Sequence, residues 1–369
     1  MPGRRPSFSR RGRTTLVWAA AIFAAAQLSL AAAIELWLPQ LRDPIYGDKL
    51  NQLRSCIAAA PAGTPLVVML GSSRAVHGLD AGLLERQLAK RQGRPVIAYN
   101  FGIPGAGPFT ELVCLKRLLA EGIRPDLALI EVLPPMLAGQ TPSFDLGQFP
   151  ADRVWLHETP LIERYTSGIF PEQRLAADWW AGWWSPVHSH RFALMRAICP
   201  QFVPPEGRGH LFARFDERGW NVMPEQVRTP DRAQAALETA RKEYAGILAQ
   251  FKLGGASCQA LHELLDLCEQ ERISAALVLM PEGPAFRSWY PDAARREIGE
   301  FLSALSDRYS VQLIDARAWI AEKGFLDSHH LLATGSQEFS LTLARRAMLP
   351  LGATVTADPR PSLQQAQKR

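Results

Sequence analysis

The chain has 369 residues, of which 47% are hydrophobic and 21% charged, so it is a globular protein with a core, not a fully disordered or fibrous chain. Its net charge of +5 comes from the first 13 residues, which hold Arg4, Arg5, Arg10, Arg11 and Arg13. Without these five arginines, the chain has 36 basic residues (41 minus five) and 36 acidic ones. The neutral remainder offers no basic stripe, and no nucleic-acid partner is expected.

The N-terminal sequence predicts a membrane segment. Residues 14–34 carry no charge, which is about the length that spans a bilayer as a helix. The preceding arginines predict that residues 1–13 form a basic cytoplasmic segment. Residues 14–38 are therefore either a single transmembrane anchor in the inner (cytoplasmic) membrane or a signal peptide, cleaved near Ala31-Ala32-Ala33. Both interpretations place the body outside the cytoplasm, in the periplasm, whereas a buried core helix fits the arginine-rich flank poorly.

After a predicted linker at 39–63, strand and helix patterns alternate. The apolar runs that predict strands lie at 65–70, 95–100, 126–133, 273–281 and 311–316. Helical patterns between and after them lie at 79–91, 108–122, 231–252, 258–272, 292–309 and 336–348. This alternation predicts an α/β domain with a doubly wound, flavodoxin-like, parallel five-stranded sheet, built from residues 64–135 and 231–350.

The alternation is interrupted by residues 136–230, a Trp- and Pro-rich stretch that we interpret as an insertion or lid. Its tryptophans could stack on sugar rings of a substrate or lie at a membrane interface; the alternative is a small core for the insertion. These candidate substrate-binding residues are Trp179, Trp180, Trp183 and Trp184. Residues 351–369 are polar and predicted to be a disordered tail.

In a parallel α/β sheet, ligands bind at the carboxyl ends of the strands. The sequence Gly-Ser-Ser-Arg at 71–74 follows the first strand, a glycine-rich loop at 100–107 follows the second, and Asp327 and His330 come after the fifth. A serine becomes a nucleophile when a histidine, oriented by a carboxylate, takes its proton. Each motif alone has a plainer explanation: a helix cap, a tight turn or a surface pair. Their joint order favours a catalytic serine.

That order resembles the arrangement of the SGNH (GDSL-like) hydrolases. The sequence at 71–74 resembles the Gly-Asp-Ser block, which implies that Ser73 is the nucleophile. The run NFGIPG at 100–105 resembles the second block, which implies an oxyanion hole formed by the N–H groups of Ser73 and Gly105. Residues 327–344 resemble the Asp-x-x-His block with its following helix, which implies the triad Ser73, Asp327 and His330.

The details are similar to extracytoplasmic members that handle acyl groups of the cell envelope. This resemblance implies a serine esterase or O-acyltransferase that acts on acyl or acetyl esters of envelope glycans or lipids through a seryl-acyl intermediate. It also implies contact with other envelope acylation proteins. Arg74, His77 and Asn100 are further candidates for substrate binding, although for His77 a role at the helix start or at the surface is favoured over one in the pocket. No cofactor is expected.

Two positions depart from the family pattern. Pro135 stands where the third block has an asparagine that donates to the oxyanion, and proline has no N–H to donate. Either a group from the insertion replaces that donor, or the enzyme is a slow, specialised transferase. Ser72 stands at the aspartate of the first block. The rival hypothesis is a non-catalytic glycan-binding or scaffold subunit of an envelope assembly on the same fold.

A metal site is not expected. Asp327, His329 and His330 are close in sequence, but we expect the side chains of the adjacent His329 and His330 to point apart. The five cysteines have no metal-ligand spacing.

Overall fold

The structure is a computed structural model, and it describes residues 10–139, 145–169, 174–204 and 214–346. Most of the predicted basic segment (1–13) and all of the predicted tail (351–369) lie outside the described residues.

The centre of the fold is a parallel sheet of five strands with the order β2-β1-β3-β4-β5. The strands are β1 (Leu66–Leu70), β2 (Ile97–Asn100), β3 (Leu127–Glu131), β4 (Ser274–Leu279) and β5 (Gln312–Asp315). β1, β2 and β3 are buried along their whole length, as expected when helices cover both faces of a parallel sheet. The prediction of a flavodoxin-like five-stranded sheet is confirmed.

The described residues also form fifteen α-helices. They are α1 (Arg10–Leu36), α2 (Pro39–Arg42), α3 (Pro44–Ala59), α4 (Ser73–Gly78), α5 (Ala81–Gln92), α6 (Pro108–Ala120), α7 (Thr159–Thr166), α8 (Leu175–Trp184), α9 (Pro186–Ser189), α10 (Arg191–Ile198), α11 (Pro230–Ala249), α12 (Gly255–Gln270), α13 (Pro284–Arg287), α14 (Asp292–Tyr309) and α15 (Ala333–Arg346). Short 3₁₀ turns link them, including Pro134–Leu137 and Leu146–Gln148.

Helices α5 and α15 pack together against alternate residues of the strands. Leu84 and Leu88 of α5 and Phe339 and Leu343 of α15 share one buried cluster with strand residues such as Met69. Helices α6 and α12 likewise pack against each other. This core holds the carboxyl ends of the strands, and hence the loops that follow them, in fixed positions.

The chain divides into two compact units. The first unit comprises residues 1–47 and 149–212, and the second comprises residues 48–148 and 213–369. Residues 136–148 and 213–230 of the predicted insertion therefore group with the sheet. The predicted linker at 39–63 is largely helical, because both α2 and α3 lie within it, and Leu50 and Leu53 of α3 are completely buried.

In the first unit, the segment Gly12–Leu36 of α1 is long and apolar enough to cross a membrane. The rest of the described part of this unit consists of short helices and turns, and Ile34, Leu41 and Ala193 form a small apolar cluster within it.

Candidate active site

Ser73 is the first residue of α4, directly beyond the carboxyl end of β1. Ser72 caps this helix, since its side chain accepts a hydrogen bond from the backbone N–H of Arg74 at 3.1 Å. Gly71 makes the turn tight: a Cβ atom there would lie 2.5 Å from Glu131 Oε2 and 2.7 Å from the Cβ of Ala75. Only glycine fits, and the turn presents the half-buried Ser73 at the edge of the sheet.

The structure joins Ser73, His330 and Asp327 in one line of hydrogen bonds. Ser73 Oγ lies 2.8 Å from His330 Nε2, and His330 Nδ1 lies 2.7 Å from Asp327 Oδ2. The second carboxylate oxygen of Asp327 accepts the backbone N–H of His330 at 2.7 Å, which fixes the two residues within one turn. Ser328 between them has a φ of +68°, so the backbone bends sharply here. A base, its orienting carboxylate and a hydroxyl are thus in reach of one another.

The charge on Asp327 sets the tautomer of His330. Burial alone would raise the pKa of Asp327, but the neighbouring imidazoles of His330 and His329 outweigh it and hold that pKa well below its usual range. The ionised carboxylate accepts a hydrogen bond from the Nδ1–H of His330. Nε2 then carries the lone pair that accepts the hydroxyl proton of Ser73.

His77 also lies at this site. It is on α4 one turn after Ser73, and both side chains are half-buried on the same helix face. Its ring meets that of His330 edge to face, with centroids 5.7 Å apart, and its Nδ1 lies 2.9 Å from the carbonyl oxygen of Asn221. Burial, followed by the proximity of His330, lowers the pKa of His77 to about 4. His77 is therefore neutral near pH 7 and donates through Nδ1–H to Asn221.

His329 does not point away from its neighbours, contrary to the expectation for adjacent residues. Its ring lies 4.0 Å from that of His330, and its Nδ1 lies 3.2 Å from Asp327 Oδ1. The ring is stacked on Phe286, and burial lowers the pKa of His329 to about 4. Asp327, His329 and His330 offer ligand atoms within 4.8 Å of one another. A metal ion bound by this group would compete with the His330–Asp327 hydrogen bond that orients the base.

Glu131 fixes the turn that precedes Ser73. It ends β3, and its carboxylate accepts the backbone N–H of Ser72 at 2.7 Å and the hydroxyl of Ser72 at 3.0 and 3.1 Å. Sequence reasoning missed this residue. The signal was an acid at the end of an otherwise apolar strand, LALIE.

Two predicted substrate-binding residues are instead structural. Arg74 is buried; its guanidinium donates to the carbonyl oxygens of Met280 and Pro281 at 2.9 and 3.0 Å and lies 3.4 Å from Glu282 Oε1. Asn100 is completely buried. Its amide donates to the carbonyl oxygens of Ala75 and Leu79 and accepts from Gly102 N–H. Both side chains hold the loops together and are closed off from a ligand.

The predicted oxyanion donors lie on loops that are tied together. Ile103 donates its N–H to the carbonyl oxygen of Gly71 at 2.7 Å, which brings the loop containing Gly105 to the turn before Ser73. Gly105 is half-buried and has a φ of +79°, a left-handed conformation that favours glycine. Among the described residues, no hydrogen-bond partner is found for the N–H of Ser73 or of Gly105. Pro135 lies in the buried 3₁₀ turn Pro134–Leu137 and supplies no donor.

The four tryptophans lie on α8, in the first unit, whereas the triad lies in the second. Trp179 is buried and donates through its indole N–H to the carbonyl oxygen of Val154 at 3.0 Å, so it belongs to the interior of its unit. Trp180 and Trp184 are exposed, and Trp183 is half-buried. Their binding to substrate stays a prediction.

Comparison with known proteins finds a partial family match and several similar solved structures. A protein-family model matches residues 237–348, less than a third of the chain; this segment contains Asp327 and His330 but not Ser73. No curated protein matches the sequence. Similar solved structures include a Bacteroides fragilis protein provisionally assigned as an acylhydrolase, with 12% identity and a TM-score of 0.35, covering 82% of this chain and 97% of its own. Another is a carbohydrate acetylesterase from Sinorhizobium meliloti, with 11% identity and a TM-score of 0.34, covering 76% and 97%.

Proposed function

We propose that the protein is an SGNH-type serine esterase or O-acyltransferase with Ser73 as nucleophile, His330 as general base and Asp327 as the orienting carboxylate. The unbroken line of hydrogen bonds from Ser73 Oγ through the imidazole of His330 to Asp327 carries this proposal. Ser73 lies on one segment of the chain and Asp327 and His330 on another, yet their side chains form one line of hydrogen bonds. A helix cap or a surface pair would not require this arrangement.

In the first half-reaction, His330 Nε2 takes the hydroxyl proton of Ser73 while Oγ forms a bond to the acyl carbon of an ester. The N–H groups of Ser73 and Gly105 stabilise the negative oxygen of the tetrahedral intermediate. When the ester C–O bond breaks, the imidazolium returns its proton to the departing alcohol, and the acyl group remains on Ser73.

In the second half-reaction, water or a sugar hydroxyl attacks the acyl-serine. His330 takes the proton of the attacking group and then returns it to Ser73 Oγ as the acyl group departs. Water gives hydrolysis, and a sugar hydroxyl gives transfer. The neutral His77, half-buried on the same face as Ser73, can line the site for either acceptor without adding a charge.

The proposed substrate is an O-acyl or O-acetyl ester on an envelope glycan or lipid, and the proposed setting is the periplasmic face of the inner membrane. The apolar helix α1 supports membrane attachment, and the arginines before it support an inward N-terminus. Other envelope acylation proteins are proposed partners. A cleaved signal peptide would leave the same body on the same side.

A non-catalytic envelope subunit is the second candidate, and Pro135 favours it, since an oxyanion donor of the family pattern is absent there. Hydrolysis of p-nitrophenyl acetate distinguishes the two candidates. Ser73→Ala and His330→Ala should each lower kcat by several orders of magnitude, and the double variant should be no worse, because triad members act as a unit. Ser72→Ala is the matched control and should retain activity. Equal rates for the wild type and Ser73→Ala would favour the non-catalytic subunit.

A further inference from the structure

Exposed large apolar side chains are concentrated in the first unit. Beyond α1, the described residues contain eight that are more than a third exposed, and seven of them belong to this unit: Trp37, Ile169, Trp180, Trp184, Val187, Ile198 and Phe202. Val222 is the one in the second unit. A water-facing surface rarely concentrates such residues, and those that do so bind a partner or a membrane.

Helix α8 shows how these side chains are sorted. Trp179 faces inward, and the guanidinium of the buried Arg42 lies 5.6 Å from its ring. Trp180 and Trp184 face outward, with 46% and 63% of their surface exposed. Successive indoles from Trp179 to Trp184 touch edge to face, with centroids 5.0 to 5.8 Å apart. Helix α8 therefore exposes the rigid indoles of Trp180 and Trp184, while the buried indole of Trp179 holds the helix to the rest of its unit.

The short helices that carry these exposed residues pack against the candidate membrane helix, α1. Helices α8 and α9 contact α1, and Ile34 near the carboxyl end of α1 packs with Leu41 and with Ala193 of α10. Arg42 donates to Glu35 at 2.6 Å and to the carbonyl oxygen of Val154 at 2.7 Å, which binds the end of α1 to the segment that follows residue 149. The short helices are thus fixed where α1 would leave the bilayer.

We propose that α8, α9 and α10, with the turn Pro200–Phe202, lie in the bilayer interface as a monotopic element beside α1. Trp is favoured at the boundary between acyl chains and headgroups because its ring is apolar and its N–H is polar. Exposed Arg191 on α10 suits anionic headgroups. The occupant of this surface is therefore a lipid bilayer, and the inference rests on the proposed membrane attachment of α1.

The test uses the full-length protein, carrying Cys199→Ser, in vesicles of phosphatidylcholine and phosphatidylglycerol. Bimane is attached in turn to Trp184→Cys, Ile198→Cys and Val222→Cys, and quenching by brominated acyl chains is measured. Val222 is the matched control, because it is an exposed apolar residue (45%) of the second unit. We expect strong quenching at 184 and 198 and at least five-fold less at 222.

A fourth label, at Ile22→Cys in α1, separates this inference from the anchoring on which it rests. Quenching at 22 without quenching at 184 and 198 would overturn the interfacial element and leave the anchor intact. No quenching at any position would overturn both. Protection of 184 and 198 from aqueous iodide without quenching by brominated chains would show that a second protein copy, not lipid, covers the surface.

Gln148 lies next to Gly105, and its side chain carries the kind of donor that Pro135 cannot supply. The side-chain amide of Gln148 covers Gly105: a Cβ atom on Gly105 would lie 2.5 Å from Gln148 Nε2 and 3.5 Å from its Cδ. The hydrogen bonds among the described residues include none to this amide, which is half-buried. A free amide donor thus stands beside one of the two proposed oxyanion donors.

A buried carboxylate fixes the turn that carries Gln148. Asp145, completely buried, accepts hydrogen bonds from the backbone N–H groups of Gly107, Phe109 and Thr110 at 2.8 to 2.9 Å. Gln148 closes the same short turn by donating its N–H to the carbonyl oxygen of Asp145 at 3.2 Å. The turn is therefore fastened to the loop that carries Gly105.

We infer that Gln148 Nε2 donates to the oxyanion in place of the asparagine that Pro135 replaces. This inference rests on the proposed function. Gln148→Glu keeps the shape but removes the donor, and Gln148→Ala removes both. Loss of one oxyanion donor lowers kcat by about 10²–10³, with little change in KM, for p-nitrophenyl acetate. Gln92→Ala, at the end of α5, is the control and should leave kcat unchanged.

An unchanged kcat in Gln148→Ala, together with an inactive Ser73→Ala, would overturn the role of Gln148 and leave the proposed function standing. A wild-type protein whose turnover does not depend on Ser73 would overturn both. A fall in kcat for Gln148→Ala but not for Gln148→Glu would also contradict the inference, because only packing would then matter.

Discussion

The carboxylate of Glu131, at the end of β3, accepts both the backbone N–H and the hydroxyl of Ser72, the residue directly before the proposed nucleophile. This carboxylate comes from a neighbouring strand, and Arg74 lies 3.8 Å from it. The turn that presents Ser73 is therefore fixed by the sheet.

Removing Glu131 should destabilise the fold. Glu131→Ala removes a carboxylate that balances the buried positive charge of Arg74. Breaking a buried charge pair costs about 3–5 kcal/mol. Glu131→Gln keeps an acceptor for Ser72 and should cost less. Urea denaturation of the two variants measures this difference; equal losses would show that the charge of Glu131 accounts for the whole effect and that an acceptor for Ser72 contributes nothing.

The Asp145→Ala variant should also unfold more easily than the wild type. Three buried N–H groups at the start of α6 would lose their acceptor, and each buried donor left unsatisfied costs about 1–3 kcal/mol. We expect a loss of at least about 2 kcal/mol in the free energy of unfolding, measured in urea. Asp145→Asn, which keeps one acceptor oxygen, should lose less, and a wild-type midpoint for the alanine variant would contradict this account.

Gly105→Ala should lower both stability and activity. The new methyl group would meet the amide of Gln148, and a φ of +79° costs an L-residue about 1–2 kcal/mol. Gly147→Ala, one residue before Gln148, is the matched control, since its Cβ would meet nothing within 4 Å. Thermal unfolding and ester hydrolysis should separate the two variants; equal behaviour would argue against the close approach of Gln148.

The buried histidines should make the protein less stable in mild acid. Burial lowers the pKa values of His77, His190 and His329 to about 4, whereas an unfolded histidine titrates near 6.5. Between these values the unfolded chain binds more protons, so stability is lost as the pH falls from about 6.5 to about 4.

The melting temperature at pH 7.5 and at pH 4.5 measures this effect. His77→Asn removes one of the titrating groups, and its melting temperature should fall less over this interval than that of the wild type. A wild-type melting temperature that stays constant between the two pH values would contradict the neutral, buried state of these histidines.

Local sequence was enough to predict the sheet and to find the three residues of the hydrogen-bonded line. Apolar runs and turn residues mark each strand, and the residues that follow a parallel strand meet at one edge of the sheet. Helix α14 was predicted with its observed bounds, 292–309. The fourth strand is shorter than the predicted 273–281 because the buried run continues into the loop at Met280.

What sequence could not predict depends on contacts between distant residues. Arg74 looked like a ligand-facing residue beside Ser73, but its partners lie about 200 residues away, at Met280 and Glu282. Glu131 and Gln148 carry no local motif; their roles depend on which loops meet at the sheet edge. The separate helix α4 was also missed, since its six residues are too few for a periodic pattern.

The most direct test of the central claim is labelling of the intact protein with a fluorophosphonate, followed by mass mapping of the modified residue. Attack on phosphorus needs a serine activated by a base, so we expect one adduct, on Ser73. Labelling should be abolished in Ser73→Ala, strongly slowed in His330→Ala and retained in Ser72→Ala. An adduct on Ser72 or elsewhere, or a wild-type protein that is not labelled, would contradict the assignment of Ser73, His330 and Asp327 as a catalytic triad.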